Sequence, residues 1–323
     1  MRPAVTPRRV ASALVWIAVT VLVAWAIVRV FGLERGFPLV PLIAYTPLVA
    51  IGAVLVLLIA CALRLWAAAG AAGGVAVLLA ILVLPRAFPA DQSDLPADGA
   101  ALRVMTANLL RGTADPERVV ELVRDGSIDV LSIQELTPAA DRALQRAGLA
   151  EPLGERAVFA QRGVSGSGLY ARWPLRGGSL IPSPDGRFAM PVARLGLPRA
   201  DPVEVIGVHP VPPTSSAAVS AWSDGLHSLP PAEPDCAVRL LLGDFNATLD
   251  HDELRRVLDT GYVDAADAAG KGLTPTLPQG RLMPPTVTID HVLVDERVRV
   301  EDVHIHDLPG SDHRAVTAEL VLP

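Results

Sequence analysis

Six polar clusters in the last two-thirds of the sequence carry side chains of the types that hydrolyse phosphoesters. Such hydrolysis requires a nucleophilic water, neutralisation of the phosphoryl oxygens and assistance to the leaving oxygen. Carboxylate and imidazole groups can move the protons, and a hard divalent cation held by oxygen ligands can neutralise the charge. The candidate residues are, in chain order, Asn108, Glu135, His209, Asp244, Asn246, Asp290, Asp312 and His313.

Each of these clusters stands beside a predicted β-strand. Apolar runs rich in β-branched residues predict strands that end at Asn108, Glu135, His209 and Asp244, namely LRVMTA, IDVLSI, VEVIGV and VRLLL. A further strand is predicted at Thr288–Val294, where the run TVTI leads into Asp290, and the tripeptide SDH precedes the last strand. Because loops fixed by a rigid scaffold commonly carry catalytic groups, we expect the six clusters to gather at one rim of a sheet structure.

The rest of residues 101–323 alternates between predicted strands and helices. Asp115 is a favourable N-cap for a helix that begins at Pro116. Many strands with few interspersed helices predict an α/β fold in the form of a two-sheet sandwich. The additional strands are predicted at Gly168–Ala171, Val192–Leu195 and Ala315–Leu320, and the additional helices at Thr214–Ser228 and His251–Leu258.

Each motif also has an ordinary structural explanation when it is taken singly. Gly-Asp-x-Asn around Asp244 is common turn chemistry, and Asn108 suits a turn equally well. Glu135 could be a surface carboxylate, and His209 before Pro210 could be a loop histidine with satisfied hydrogen bonds. These explanations would have to hold six times in succession, whereas one catalytic site accounts for all six clusters at once.

The six clusters, in this order, resemble the endonuclease/exonuclease/phosphatase superfamily, whose fold is DNase I-like. The resemblance covers about Leu102 to Pro323, nearly all of the C-terminal part. GDFN followed downstream by SDH is its specific element, and one departure is Ala171, where relatives usually have a small polar residue that is not catalytic. The matching segments are TANLLRG, IQE, GLYARWPL, VHPVPP, GDFNA, IDHVLV and SDHRAV.

The resemblance implies a role for each candidate residue. Asn108, Glu135 and Asp312 would bind Mg²⁺ or Mn²⁺, since the ligand set is rich in oxygen and lacks the paired His or Cys ligands typical of zinc. The resemblance further implies catalytic roles, with His313 as a base or phosphate stabiliser oriented by Asp290, Asp244 and Asn246 around the attacking water and phosphoryl oxygen, and His209 near the leaving group. Apart from the resemblance, Arg172, Arg187 and Trp222 are either residues of the substrate cleft or ordinary surface and packing residues, and the sequence does not distinguish the two.

Residues 1–87 have the composition of a membrane anchor. Three long uncharged stretches, Ala11–Val28, Phe37–Leu63 and Leu65–Pro85, predict transmembrane helices at about 11–31, 38–63 and 65–85, because about 20 apolar residues span the hydrocarbon core. Residues 88–100, polar and rich in proline, predict a linker to the domain at 101–323. The alternatives are a cleaved signal peptide for the first stretch and a buried soluble helix pair for the other two.

The arginines predict how this anchor is oriented. Arg8 and Arg9 precede the first stretch and Arg64 separates the second from the third, so the positive-inside rule places them in the cytoplasm. Arg29 and Arg35 lie on the other side and argue mildly against this topology, with Glu34 beside Arg35. We therefore expect a multi-pass cell-membrane protein whose catalytic domain is extracytoplasmic.

Charge and placement favour a lipid partner over nucleic acid. Residues 1–90 hold seven of the 28 basic and one of the 34 acidic residues, which leaves the rest of the chain at a formal charge of −12 with a single lysine, Lys271. Binding to a nucleic-acid backbone relies on clustered lysine and arginine. The layout also resembles actinobacterial membrane proteins linked to teicoplanin resistance. This layout predicts hydrolysis of an envelope lipid phosphate or pyrophosphate; the alternatives are an extracytoplasmic nuclease and a non-catalytic binding protein.

Overall fold

The computed structural model describes residues 7–181, 188–198, 200–279 and 286–323. Residues 101–323 contain two six-stranded sheets packed face to face, in the order β11-β12-β1-β2-β4-β3 and β5-β6-β7-β8-β10-β9. The strands of the first sheet are β1 (Ala101–Asn108), β2 (Val130–Gln134), β3 (Glu155–Phe159), β4 (Ser167–Ala171), β11 (Arg299–His306) and β12 (Ala315–Val321). Those of the second are β5 (Leu175–Leu180), β6 (Pro191–Leu195), β7 (Val203–Val208), β8 (Arg239–Asp244), β9 (Tyr262–Asp264) and β10 (Asp290–Asp295).

Helices cover the outer faces of both sheets, which confirms the expected two-sheet α/β sandwich. The helices on the first sheet are α5 (Pro116–Asp125) and α6 (Pro138–Arg146), and the remaining ones are α7 (Ser216–His227), α8 (Asp252–Leu258) and α9 (Ala265–Ala268). Asp115 caps α5 as expected, because its carboxylate accepts hydrogen bonds from the backbone N–H groups of Glu117 and Arg118.

The alternation of side chains along the strands forms the core and directs the polar residues at the strand ends towards the space between the sheets. Leu102 and Val104 of β1 face Leu240 and Leu242 of β8 in the cluster between the sheets, whereas Met105 packs outward under α5. Since successive side chains point to opposite faces, every second residue continues the same inward row. The polar residues at the ends of these rows therefore open into one cleft between the two sheets.

The strands that the sequence patterns missed are the edge strands. The eight interior strands were all predicted, and β3, β11, β5 and β9 are the outer members of the two sheets. β5 is exposed over nearly its whole length and carries Gly177 and Gly178, while β11 alternates charged with apolar residues. Edge strands commonly carry such side chains, because a charged or irregular edge resists pairing with another chain.

The N-terminal segment is helical but differs from the three expected spans. It contains α1 (Pro7–Phe31), α2 (Leu39–Ile43), α3 (Thr46–Ala62) and α4 (Trp66–Val83), followed by a 3₁₀ turn at Leu84–Ala87. Within the described residues, two helices are long and apolar enough to cross a membrane, Pro7–Phe31 and Trp66–Ala87. The predicted span 38–63 is broken at Ala44–Tyr45, where Pro47 enters the first turn of α3 and cannot continue a preceding helix. Its longer part, α3, has 17 residues.

The three longer helices pack side by side, with α3 antiparallel to the other two. Val15 and Val19 of α1 pack with Ala60 near the end of α3 and with the start of α4. Leu22 and Ala26, further along α1, pack with Ala53 and the second half of α4. The ends of α1 and α4 therefore lie on one side of the bundle, and the α3–α4 turn lies on the other.

The outward surface of this bundle is apolar. Only 22% and 39% of the residues in the most apolar stretches of the two long helices are buried, unlike the core helices of soluble proteins. In the described part of residues 91–323, by contrast, only two large hydrophobic residues, Leu180 and Val263, are exposed. The exposed large residues of the bundle include Leu14, Ile17, Val21, Ile51, Leu55, Leu58, Val77 and Ile81. An apolar surface of this extent marks a contact with lipid or another protein.

The helical bundle and the sandwich are in direct contact. Arg29, in the last turn of α1, and Arg86, after α4, both form ion pairs with the buried Asp250 of the sandwich at 2.7 Å. The expected linker also lies along the sandwich, since the N–H of Ala90 donates to the carbonyl of Ala268. The side chain of Gln92 in that segment both donates to and accepts from the backbone of Val300 on β11.

Candidate active site

The candidate site lies where the inward rows of the two sheets turn from apolar to polar. On β2, which runs parallel to β1, Ser132 and Gln134 continue the inward row that begins at Val130. The hydroxyl of Ser132 donates to the carbonyl of Leu242 across the sheets at 2.9 Å, and Gln134 donates to Ser132. These hydrogen bonds fix the spacing of the sheets directly beneath the strand ends.

Asp244 lies at the centre of the site. Its Oδ2 accepts a hydrogen bond from Nδ2 of Asn108 at 3.0 Å and lies 3.9 Å from Nε2 of His209 and 3.8 Å from Nε2 of His313. Its Oδ1 accepts from the backbone N–H of Asn246 at 2.8 Å. Burial raises the pKa of Asp244 and the neighbouring aspartate adds to this, while the histidines oppose it.

Asp290 and His313 form a buried pair beside Asp244. Antiparallel pairing of β10 with β8 sets Asp290 directly opposite Asp244, and Asp290 is the first residue of β10, two residues after the predicted start at Thr288. Nδ1 of His313 lies 2.9 Å from Oδ2 of Asp290. Burial disfavours the charged imidazole, but Asp290, Asp244 and Asp312 outweigh it and raise the pKa of His313 to about 10. The imidazole is therefore a cation at neutral pH, oriented by Asp290.

Glu135 follows β2 in an uncommon backbone conformation. Its φ of 54° lies in the left-handed region, which costs a non-glycine residue roughly 1–2 kcal/mol. Its Oε2 accepts from the backbone N–H of Arg111 at 2.7 Å, and its Oε1 lies 3.5 Å from Nδ2 of Asn108. Burial raises the pKa of this carboxyl, against the two hydrogen bonds that lower it. Strained backbone conformations that are maintained by the surrounding structure are concentrated at functional sites.

The remaining predicted residues line the same cleft. His209 is buried, packs edge-on against Phe188 at a ring distance of 5.0 Å, and is neutral at pH 7 because burial lowers its pKa to about 4. Asn246 also has a left-handed backbone, with a φ of 49°, and its amide donates to the carbonyl of Pro210. Oδ1 of Asp312 lies 3.9 Å from Nε2 of His313. The structure therefore brings all eight predicted residues together.

The excess of carboxylates in this cleft suits a divalent cation. Within the described residues, no arginine or lysine forms an ion pair with Glu135, Asp244 or Asp290. Burial raises the pKa of Glu135 and Asp244, so ionising both without a nearby metal is costly. Asp244, Asp290 and His313 also place ligand atoms within 4.8 Å of one another. Hard cations bind such carboxylate oxygens and would restore the charge balance.

Within this cleft the carboxylates fit a hard cation better than Asn108 does. Oδ1 of Asn108 accepts from the backbone N–H of Leu110 at 3.0 Å, and its Nδ2 faces Glu135 and Asp244. Coordination through the amide oxygen would require that the side chain turn over and lose the bond to Leu110. His313 is also less suited to a metal, because a ligating imidazole must be neutral and the surrounding aspartates raise the pKa of His313 to about 10.

Several polar groups of the site were missed by the sequence patterns. Ser311 donates to the carbonyl of Asn108 at 2.7 Å and accepts from the N–H of His313, which joins the SDH turn to β1. A second buried pair, His291 with Asp264 at 2.6 Å, also binds the carbonyl of Ala247 and so supports the loop after β8. A signal was present in both cases, since these polar residues interrupt or flank buried apolar runs.

The residues suggested for the substrate cleft do not lie there, as far as the structure describes them. Trp222 is buried and donates through Nε1 to the carbonyl of Phe245, so it supports the loop from behind. Arg172 follows Ala171, which pairs with Val130 at the start of β2, whereas Glu135 lies beyond its other end. Arg187 lies outside the described residues.

Comparison with known proteins agrees with this fold. The Endonuclease/Exonuclease/phosphatase family model matches residues 105–313. An endonuclease/exonuclease/phosphatase from Beutenbergia cavernae has 19% identity and a TM-score of 0.54, covering 69% of this chain and 72% of that one. D. rerio TDP2, complexed with a single-strand DNA product, has 15% identity and a TM-score of 0.54, covering 68% and 99%. The Neisseria 3′ phosphatase NExo, bound to a product DNA hairpin, has 18% identity and a TM-score of 0.54, covering 67% and 98%.

The fold and the cleft define a DNase I-like phosphoric ester hydrolase. The family match spans well over half of the chain and ends at His313, the last residue of the candidate site. The chain belongs to the endonuclease/exonuclease/phosphatase family. The structural similarities, at their low identities, establish the fold alone, and no functionally curated protein matches the chain.

Proposed function

We propose that the protein is a membrane-anchored phosphoesterase, dependent on Mg²⁺ or Mn²⁺, that hydrolyses the phosphate ester or pyrophosphate of an envelope lipid. One observation carries the proposal: the candidate site and the contact with the helical bundle share a loop. Asp244 belongs to the site, and Asp250, six residues later, binds Arg29 and Arg86 of the bundle. Six residues reach at most about 20 Å, so the site lies within that distance of the bundle.

The apolar surface of the bundle supports its insertion in a bilayer. α1 and α4 are long enough to cross the hydrocarbon core, and α3, with 17 residues, is at the lower limit of about 17. The ends of α1 and α4 face the sandwich, so three crossings place the sandwich opposite Arg64 and the start of α1. Arg29 is buried in an ion pair and therefore no longer argues against the expected topology. The proposed location of the hydrolase is the extracytoplasmic surface of the cell membrane.

The residues of the cleft suggest how the hydrolysis proceeds. Glu135, together with Asp312 and a reoriented Asn108, would hold the metal, which supplies charge neutralisation at the phosphoryl oxygens. His313, protonated and oriented by Asp290, stabilises the negative phosphoryl group. Asp244 orients the attacking water, and Asn246 donates its amide to a phosphoryl oxygen once that amide leaves the carbonyl of Pro210. His209, neutral at pH 7, has its Nε2 3.9 Å from Oδ2 of Asp244, and its proposed role is to assist the leaving oxygen.

Charge and geometry favour lipid over nucleic acid as the substrate. The part of the chain beyond residue 90 carries a formal charge of −12 with one lysine, which weakens binding to a polyanion. A site within about 20 Å of the bilayer anchor meets lipid headgroups directly. The similarity in layout to teicoplanin-resistance membrane proteins suggests a prenyl-lipid carrier in particular. A nuclease is the second candidate, because TDP2 and NExo were both solved with DNA products.

Parallel substrate assays on the full-length protein in detergent micelles test this proposal. We expect phosphate release from a prenyl diphosphate with Mg²⁺, little cleavage of plasmid DNA, and loss of activity in Glu135→Gln. The matched control is Glu151→Gln, which changes an exposed glutamate paired with Arg124 outside the site. Efficient cleavage of DNA without release of lipid phosphate would replace the first candidate with the second. A wild-type rate in Glu135→Gln would remove this residue from the mechanism.

A further inference from the structure

The contact between the bundle and the sandwich is built around one buried aspartate. Asp250 is completely buried and receives three hydrogen bonds from two guanidinium groups: Arg29 Nε at 2.7 Å, and Arg86 Nη1 and Nη2 at 3.0 and 2.7 Å. Both arginines are themselves buried. Burial alone would raise the pKa of Asp250, but the two arginines outweigh it and hold that pKa below its usual range. The carboxylate is thus fully ionised and fully engaged.

The two arginines reach Asp250 from different helical elements. Arg29 belongs to the last turn of α1, while Arg86 belongs to the 3₁₀ turn after α4, so a single carboxylate fixes the ends of both helices relative to the sandwich. Arg29 also donates to the carbonyl of Leu249, and Arg255 of α8 donates to the carbonyl of Asp250. Planar guanidinium groups bind carboxylates in a defined direction, which restricts orientation as well as distance.

Asp250 is the far end of the loop that carries two of the candidate catalytic groups. The loop begins at Asp244, and its first residues are tied to β10, since the N–H of Phe245 donates to the carbonyl of Ile289. Asn246 has a left-handed backbone that must be held by its surroundings. The loop is therefore fixed at one end by the sheet and at the other by arginines that belong to the anchor.

Apolar contacts extend the same coupling to Asp290. Val40 of α2 belongs to the cluster that contains Phe245 and Trp222, directly behind the loop. Ala44, at the end of α2, packs against Val287 and Ile289, and Ile289 immediately precedes Asp290. The anchor thus supports the end of β8 and the start of β10, where the two strands present the central carboxylates.

We propose that Asp250 is a positioning residue through which Arg29 and Arg86 of the anchor set the catalytic loop. The helical bundle is then part of the active-site scaffold in addition to its role as an attachment. A buried ion pair is weak evidence for stability, because desolvation of the charges offsets their attraction, whereas its best-attested role is to fix a specific arrangement. The inference rests on the catalytic roles proposed for Asp244 and Asn246 but does not depend on the lipid substrate.

The test compares three variants of the full-length protein in micelles: Asp250→Asn, Arg86→Gln and the milder Arg86→Lys. Arg35→Gln is the matched control, because Arg35 is an exposed arginine of the same junction whose side chain, among the described residues, hydrogen-bonds only to the carbonyl of Glu34. Two quantities are measured: hydrogen–deuterium exchange of residues 245–252, and steady-state kinetics on bis(4-nitrophenyl) phosphate with Mn²⁺.

We expect faster exchange of residues 245–252 and a kcat lowered about 10- to 100-fold in Arg86→Gln, with KM changed less than about twofold. Arg86→Lys should fall between that variant and the wild type, and Arg35→Gln should match the wild type. Unchanged exchange in the loop, or faster exchange with wild-type kcat, would overturn the inference. Where Asp250→Asn and Arg86→Gln do not fold, Arg86→Lys decides by the same two measurements.

The same experiment separates this inference from the proposed lipid substrate. A wild-type protein that cleaves the soluble diester but releases no phosphate from a prenyl diphosphate contradicts the substrate and leaves the positioning role intact. If the wild type cleaves neither compound, the exchange of residues 245–252 in Arg86→Gln decides alone: increased exchange supports the coupling and unchanged exchange refutes it.

Discussion

Two buried charge clusters lie six residues apart along one loop, and they are built on opposite principles. At the junction, Asp250 is satisfied by Arg29 and Arg86 within the protein itself. In the cleft, Asp244 shares its surroundings with other carboxylates and with histidines, and burial raises its pKa instead of lowering it. The first cluster is complete as it stands, whereas the second has an excess of carboxylates that can bind a cation, which in turn can bind a phosphoryl group.

A buried carboxylate can be assigned a structural or a catalytic role from the direction of its pKa shift. Both clusters perturb the pKa of their aspartates, so a perturbed pKa alone does not distinguish structure from catalysis. The direction of the shift does: arginines lower the pKa of Asp250, while burial and Asp290 raise that of Asp244. A carboxylate whose surroundings disfavour its ionisation, and which lies at the open end of the two sheets, is the one suited to a catalytic role.

Removal of divalent metal should produce the largest difference between the two clusters, because it affects the cleft and not the Asp250 cluster. We expect dialysis against a chelator to reduce phosphoesterase activity to the background rate, and Mg²⁺ or Mn²⁺ to restore it. Metal at 100 times its dissociation constant should also stabilise the fold by about 2.7 kcal/mol, measured as a shift in thermal unfolding. The Asp250 cluster requires no metal, so Arg86→Gln should show the same increment. Full activity in the chelator would refute metal dependence.

His313→Asn should give the next largest effect, confined to the cleft. The imidazolium is the cation oriented by Asp290, and loss of such a group lowers the rate about 10²- to 10⁴-fold. Initial rates on bis(4-nitrophenyl) phosphate measure this loss. His304→Asn is the control, because His304 is an exposed histidine of β11. A decrease of less than about tenfold would mean that His313 orders the SDH turn without acting on the phosphate.

How much of the molecule can be predicted from the sequence depends on whether an element is defined by neighbouring residues or by contacts between distant ones. The eight interior strands follow from local apolar runs, and the eight candidate site residues lie at the ends or starts of those strands. The edge strands lack such continuous apolar runs: β5 carries two glycines, and β11 alternates charged with apolar residues. Interior strands are therefore predictable from local sequence, but edges are defined by their neighbours.

The contact between the bundle and the sandwich could not be predicted, because its arginines resemble those that flank membrane spans and its aspartate resembles a turn residue. In the sequence, Arg29 and Arg86 flank apolar stretches and Asp250 lies just before a predicted helix, and nothing local marks the three residues as partners. Their pairing connects positions more than 160 residues apart, which no local pattern encodes. The break in the span at 38–63 had a local cue in Pro38, Pro41 and Pro47, but the hydropathy of the stretch outweighed it.

In metal-free protein, the Asp250 cluster should govern the loss of stability at acid pH (the acid limb), and the His313 cluster the loss at alkaline pH (the alkaline limb). The pKa of Asp250 is lowered, so its contribution is present above about pH 4, the unfolded value, and is lost as pH falls through the folded pKa. The pKa of His313 is raised to about 10, so its contribution is complete below about pH 6.5 and is lost as pH rises towards 10.

Urea unfolding at fixed pH values checks this assignment. Asp250→Asn should flatten the acid limb and His313→Asn the alkaline limb, each by an amount on the order of a few kcal/mol. Each variant serves as the control for the other, because their target groups titrate in different ranges. If one variant flattened both limbs, the two clusters would be electrostatically coupled instead of independent.

Arg172→Ala should have the smallest effect, and it tests where the cleft ends. Arg172 pairs with Asp129 at 3.2 Å, but its side chain is 39% exposed, and exposed pairs contribute at most about 1 kcal/mol. It lies beyond the start of β2, at the opposite end from Glu135, so kcat and KM should stay within about twofold of the wild type. A raised KM would mean that a long substrate crosses the whole sheet, which would shift the balance towards the nuclease, because a nucleic-acid strand is long and a lipid headgroup is not.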